Sequence, residues 1–299
     1  WDPASLQELI ESKIYRPYAV GRERLVNHYL YKLDERRWLT ILATHHALLD
    51  GIGYAEHLLT VCRNYEQAAE DGVVELPPEL FPEYVDYDRL HTDSWETLSH
   101  WKTVMAGVEP LEWQTADIDR ACREQQHVIL PAAKWEELKR YCRSVGMTPA
   151  LYWKSLYGLL ISSVSCGAGE VVMNEFLAGR PKGHQSGVGC YYQVLPFILP
   201  RDLLKPETTF SELFQYVKQW QRNHRDHASL SILQQQRMLP KGRIGFMFNF
   251  IHFFPTLEFE GKDAPIRQLI PNAEGQVQLA IKVIGDDLHL YLDYDRGLV

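Results

Sequence analysis

The segment best suited to chemistry is His45-His46-Ala47-Leu48-Leu49-Asp50-Gly51. An imidazole titrates near neutrality, so either histidine could take a proton from an attacking amine or hydroxyl. Asp50 could orient the loop or hold an arginine. The N–H groups near Gly51 and Ile52, at a helix start, could face an oxyanion or a phosphate. A metal held by His46 and Asp50 would have two ligands, too few for a stable site, and no third is indicated nearby. Gly51-Ile52-Gly53 half-mimics a dinucleotide fingerprint. Glu56 stands where the third glycine belongs, and a carboxylate there would repel pyrophosphate. Neither a Gly-x-Ser-x-Gly elbow nor a phosphate-binding P-loop occurs.

The elements around this segment place it at a strand-to-helix junction. Leu25 to Leu33 and Trp38 to Thr44 read as two strands joined by the charged turn Asp34-Glu35-Arg36-Arg37, a hairpin signal. The second strand runs into His45-His46. In a continuing strand the two histidines face opposite ways, His46 with Thr44, Leu42 and Trp38, His45 with Ala43, Ile41 and Leu39. A helix follows, with Tyr54, Leu58, Val61, Cys62 and Tyr65 at helical spacing and an end near Asp71-Gly72. Rigid flanks and a short loop suit a reactive group. Taken alone, however, a histidine at a strand end is more often packed or merely exposed, and Asp-Gly before a helix is often only a cap.

Residues 73–82 are Pro-rich and read as loop. A helix from Asp93 to Met105 carries Trp95, Leu98, Trp101 and Met105 on one face. The stretch Gly107 to Gln125 has few signals and marks a domain boundary, giving units 1–125 and 126–299. The second unit opens with a strand at His127 to Leu130, and Pro131 starts a helix. Thr148-Pro149 caps and starts another helix, which ends near Cys166-Gly167. Strands follow at Glu170 to Leu177, Gly189 to Leu199 and Ile244 to Phe254. A helix from Phe210 to Asp226 is opened by Thr208 or Thr209. The chain closes with a hairpin, Gln276 to Ile284 and Leu288 to Tyr294 around Gly285-Asp286-Asp287. Mixed strands and helices without repeats indicate an α/β layered architecture with mixed sheets.

Composition narrows the function classes. The chain has 299 residues, 45% hydrophobic and 23% charged, enough to bury a large core without disulfides or metals. A net charge of −8 argues against a nucleic-acid partner. The five cysteines are scattered without Cys-x-x-Cys spacing, which reads as reduced thiols in a cytoplasmic protein rather than a disulfide framework or zinc site. No apolar run is long enough to span a bilayer, so no membrane role is expected. The first residue is Trp rather than Met, and the chain reads as processed or cut from something larger.

His45 to Gly51 fits His-His-x-x-x-Asp-Gly, which resembles the signature of the condensation domains of non-ribosomal peptide synthetases, within the chloramphenicol-acetyltransferase-like superfamily. Weaker matches follow in family order. Arg16-Pro17-Tyr18-Ala19 resembles the Pro-Phe-Asp-Leu lead-in. Tyr84-Val85-Asp86-Tyr87, His100-Trp101-Lys102 and Met105-Ala106-Gly107 resemble the family's Tyr-x-Asp-Phe/Tyr motif and the helix after it. Ala178-Gly179-Arg180 resembles its Gly-Arg turn. Val188-Gly189-Cys190-Tyr191-Tyr192-Gln193 through Leu195 and Arg201, and Phe246-Met247-Phe248-Asn249-Phe250, resemble two of its strands. Gln193 departs from the usual Asn. His224 to Leu233 matches the His-Gln-Asp-x-Pro-Phe-Glu segment only loosely. The family's first two motifs would lie upstream of Trp1, so the amino-terminal subdomain is expected to be incomplete here, or completed by a separate chain.

The resemblance implies two acetyltransferase-like subdomains arranged in a V, with a tunnel between them. It implies amide formation between a carrier-bound acyl or aminoacyl thioester and an amine acceptor. The implied partners are donor and acceptor carrier proteins and a neighbouring adenylation domain. The substrates ride on phosphopantetheine arms, and no cofactor is bound directly. His46 becomes the active-site histidine, with His45, Asp50 and Gly51 in the same signature. Asp50 becomes the structural member, paired with an arginine from the other half: Arg180 first, Arg201 second. Gln193 and Asn249 are expected in the tunnel or behind it. Ester-forming and epimerising relatives share the signature, and a non-catalytic docking module is a third reading.

Overall fold

The computed structural model describes residues 2–72, 85–86, 89, 92–111, 123–165, 169–180, 187–239, 244–252, 257–259, 261–264, 266 and 277–295. The expected loop at 73–82 and most of the expected boundary stretch lie outside them. The described elements, numbered along the chain, are α1 (Pro3–Ile14), β1 (Val26–Lys32), β2 (Trp38–Thr44), α2 (Gly51–Asp71), α3 (Trp95–Val104), β3 (Arg123–Leu130), α4 (Ala132–Ser144), α5 (Pro149–Val164), β4 (Val171–Leu177), β5 (Gln193–Leu199), α6 (Phe210–His224), α7 (Ile232–Met238), β6 (Phe246–Ile251), β7 (Leu257–Phe259), β8 (Lys262–Ala264), β9 (Val277–Ile284) and β10 (Asp287–Asp295). The chain forms two compact units. The first gathers residues 1–86, 180–191 and 255–272, and the second gathers 87–179, 192–254 and 273–299. This division differs from a single cut after residue 125. Two later segments return to the first unit, and α3 belongs to the second.

In the first unit β1 and β2 pair antiparallel, with Val26 opposite Thr44 and Lys32 opposite Trp38. The turn forms because the Asp34 carboxylate accepts the N–H groups of Arg36 and Arg37 and pairs with the Arg37 guanidinium at 2.6 Å. Helix α2 starts at its Asp50 cap and stops where Gly72 takes a left-handed conformation at φ 70°, its N–H returning to Ala68 O. Leu42, Leu58, Cys62 and Leu257 form a small apolar cluster, with Val26 and Tyr54 packed against it. The apolar stripe of α2 is narrower than expected. Ala55, Leu58 and Cys62 are buried, whereas Val61 and Tyr65 are exposed.

The second unit is built on a six-stranded mixed sheet of order β3-β10-β9-β6-β4-β5. Strand β6 runs parallel to both β4 and β9, and the other pairings are antiparallel. Strand β3 starts at Arg123 rather than His127. Its polar half shows no alternation in the sequence, and the ladder to β10 extends it. Thr148 caps α5, and Thr209 with Glu212 forms a capping box on α6. Pro131 sits one position before α4, whose first N–H is taken by the Asp287 carboxylate at 2.8 Å. The core joins Trp101 of α3 and Met105, the residue that caps its C-terminus, to Tyr157, Phe197, Leu213, Val217, Phe248 and Ile281. Trp95, expected on that face, opens α3 and is 76% exposed.

Candidate functional site

The histidine pair sits on a turn rather than on a strand. Strand β2 ends at Thr44, and His45 adds one more bond, its N–H donating to Leu25 O at 2.8 Å. The chain then reverses. Leu48 N–H donates to His45 O at 3.0 Å, which puts His46 and Ala47 at the corners of a four-residue turn. The His45 ring closes the turn from inside, its Nδ1 accepting Ala47 N–H at 3.1 Å. A ring nitrogen that accepts a backbone N–H carries no proton, so the hydrogen of the neutral ring lies on Nε2. Tyr18 meets this ring edge-on, with centroids 6.0 Å apart and planes at 86°. His45 is half-buried and His46 exposed. The expectation of two histidines alternating on a strand is therefore corrected: the turn, not the pleat, distinguishes them.

Asp50 anchors the other end of the turn. Its side chain caps α2 through Gly53 N–H at 2.7 Å and accepts Tyr191 N–H at 2.9 Å. The Arg180 guanidinium grips it with two bonds, Nη1 at 2.7 Å and Nη2 at 2.8 Å. The two side chains are 5% and 4% exposed. Each carboxylate oxygen thus takes two donors, which fills its acceptor capacity. A carboxylate so occupied holds structure and has no lone pair left for a substrate proton or a metal. Arg180 is fixed in turn by Gly187 O at 3.0 Å and by the Tyr191 ring, 4.7 Å below the guanidinium carbon. This arginine was expected from the other half of the chain. Arg180 to Tyr191 instead groups with residues 1–86. Arg201 takes no part in the pair. It is exposed and opens a short 3-10 turn at Arg201–Leu204 in the second unit.

Two glycines at the start of α2 show which small residue the site requires. A Cβ added at Gly51 would meet nothing within 4 Å. A Cβ at Gly53 would lie 2.5 Å from Gly189 O and 2.9 Å from Gly189 N. Asp50 N–H also donates to Gly189 O at 3.1 Å. The close approach of α2 to the 187–191 segment therefore depends on Gly53, Gly189 and Tyr191, none of which was singled out for the site. The sequence signals were the Gly51-Ile52-Gly53 run and the Val188–Gln193 segment, neither of which pointed to this contact.

The remaining expected site residues lie in the second unit. Gln193 opens β5 opposite Leu177, and Asn249 lies in β6 opposite Ala280; both are half-buried. The loosely matching segment contributes His224, whose Nδ1 lies 2.8 Å from His100 Nε2. His227 stacks on the His100 ring with centroids 3.9 Å apart. Burial, and then the neighbouring His100 and His227, push the His224 imidazole down to about 4. Among the described residues no group of three or more His, Cys, Asp or Glu side chains is placed to hold a metal ion. No helix among them is long and apolar enough to cross a membrane.

The family model of the condensation domain matches residues 2–296. The chain belongs to the condensation-domain family. Its relatives include tyrocidine synthase 3 of Brevibacillus parabrevis, 24% identical over 221 residues that make up 69% of this chain and 3% of that protein. This condensation-family chain thus spans a small fraction of the curated relative it matches. Among solved structures, the X-domain from teicoplanin biosynthesis superposes with a TM-score of 0.82 at 14% identity, over 100% of this chain and 73% of that one. The first condensation domain of the CDA synthetase gives 0.75 at 17% identity, over 99% and 67%. At these identities the likeness speaks for the fold, which is the mixed α/β chloramphenicol-acetyltransferase-like one.

Proposed function

We propose that this chain catalyses amide formation between a carrier-bound acyl or aminoacyl thioester and an amine acceptor, with His46 as the group beside the reacting amine. The observation that carries the reading is the placement of His46. It is exposed at the corner of a turn pinned through His45 on one side and through the four-bond Asp50 anchor on the other. In the reaction the amine nitrogen attacks the thioester carbonyl, a C–N bond forms, the C–S bond breaks and the carrier thiol leaves. The ammonium proton formed on attack must go somewhere, and a neutral imidazole is a competent acceptor near pH 7. Amines attack thioesters readily, so holding the amine in line contributes much of the rate. Donor and acceptor carriers with phosphopantetheine arms, and an adenylation domain that charges them, are the partners this reading requires.

The test is product formation from loaded donor and acceptor carrier proteins by the wild type and His46→Ala. The variant is expected to lose about 100-fold or more, at or above the lower end of the general-base range of about 10²–10⁴. Undiminished product would remove His46 from the mechanism. Product only with an alcohol acceptor, or α-carbon proton exchange without transfer, would replace amide formation by ester formation or epimerisation. Carrier binding without turnover would leave a docking module.

A further inference from the structure

We infer that Tyr18 is a positioning residue for His46, acting through the His45 ring; this rests on the reading of His46 given above. Four hydrogen bonds hold His45: its N–H on Leu25 O, its O under Leu48 N–H and under the Thr44 hydroxyl at 3.3 Å, and its Nδ1 under Ala47 N–H. The first three fix the backbone and leave the ring free to rotate. The bond to Nδ1 ties the ring to the turn, and it needs the imidazole in one orientation. The Tyr18 edge contact supplies that orientation from outside the motif.

Tyr18 is itself braced. The Arg16 guanidinium carbon lies 5.0 Å from the centre of its ring, and Asn27 Nδ2 reaches its hydroxyl at 3.4 Å. Arg16 pairs with Glu23, whose other oxygen accepts Ala19 N–H at 2.5 Å. Ala19 O in turn accepts the N–H groups of Arg22 and Glu23 at 3.0 and 3.3 Å. The loop from Arg16 to Glu23 is thus a closed clasp that presents one aromatic ring to the histidine motif. An edge-to-face pair depends on the ring more than on the hydroxyl, since the attraction lies between the π-face of one ring and the positive edge of the other. Asn27 at 3.4 Å adds little.

The experiment compares wild type, Tyr18→Phe, Tyr18→Leu, Tyr18→Ala and His46→Ala in the whole chain. The readouts are amide hydrogen exchange at Ala47 and turnover. The probe is a donor carrier loaded in turn with a panel of aminoacyl and fatty-acyl thioesters. Tyr18→Leu and Tyr18→Ala should raise exchange at Ala47 and lower kcat, each about tenfold (about 1.4 kcal/mol), with KM for the carriers unchanged. Tyr18→Phe should behave as wild type in both readouts. Unchanged Ala47 exchange in Tyr18→Leu overturns the inference whatever the turnover shows. So does a Tyr18→Phe variant as impaired as Tyr18→Leu. If Tyr18→Ala does not fold, Tyr18→Leu, which keeps apolar volume without the ring, decides alone. Full turnover in His46→Ala removes the catalytic reading instead, and the exchange result then still tests the Tyr18–His45 contact.

Discussion

Replacing Arg180 by leucine isolates the anchor beneath the histidine turn. The change strips the Asp50 carboxylate of two of its four donors, the bonds at 2.7 and 2.8 Å, and leaves Gly53 and Tyr191 N–H. The carboxylate is 5% exposed, so water does not replace the lost partners freely. Removing one member of a buried ion pair costs about 3–5 kcal/mol, because the other charge stays buried and uncompensated. That is about a fifth or more of the stability of an ordinary domain, roughly 5–15 kcal/mol. The second arm adds Asp50→Asn. The amide oxygen can still cap α2 at Gly53 N–H, and the buried charge is gone. Asp50→Asn with Arg180→Leu should therefore be more stable than Arg180→Leu alone by about 2 kcal/mol or more, despite carrying one further substitution. Urea denaturation read alongside hydrogen exchange at Gly53 and Tyr191 measures both variants and localises the loss. A single variant within 1 kcal/mol of wild type, or a double variant no better than the single, would show that the pair adds little beyond its backbone bonds.

Gly53→Ala should destabilise the first unit by about 2 kcal/mol or more, since its Cβ would sit 2.5 Å from a backbone oxygen that cannot swing aside, while Gly51→Ala, facing open space, should stay within about 0.5 kcal/mol of wild type. Thermal melts of the two variants side by side test this. The histidine cluster predicts acid sensitivity of the second unit. The His224 imidazole falls from an ordinary 6.5 to about 4 in the folded chain, so below pH 6.5 the unfolded chain binds the proton first. The stability this contributes is complete above pH 6.5 and is lost as the pH falls towards about 4. Urea midpoints at pH 7.5 and 4.5 should separate less in His224→Gln than in wild type, and equal separations would refute the assignment.

Much of the fold could be read from local chemistry. The Thr148 and Thr209 caps, the Asp34 turn, the Gly72 stop and the closing hairpin each rest on contacts within a few residues of sequence. The long-range partners were another matter. The resemblance offered two arginines for Asp50, and the structure gives Arg180. Tyr191 contributes a backbone N–H, which every non-proline residue has, so no residue type could announce it. Gly53 was visible as a glycine, but its partner lies in a segment more than a hundred residues away. Helix α1 was legible and was not read: Asp2-Pro3 is a cap-and-start signature, with Asp2 accepting Ala4 and Ser5 N–H, and Leu6, Leu9, Ile10 and Ile14 fall at helical spacing. The compact units differ from a single cut after residue 125 because crossings back to an earlier unit leave no trace in composition.

The 130-residue separation between Asp50 and Arg180 also sets an order of events on the ribosome. At about 5–20 residues per second, roughly 7–26 s pass between the synthesis of the two residues. Leu257, which completes the small cluster with Leu42, Leu58 and Cys62, arrives later still. Through that interval the helix beginning at Gly51 has its cap but neither its counter-ion nor the last member of its apolar cluster. The first unit to begin synthesis therefore cannot finish folding until most of the second has emerged. A nascent chain halted before Arg180 would display the aspartate and the exposed flank of α2 as a target for chaperones.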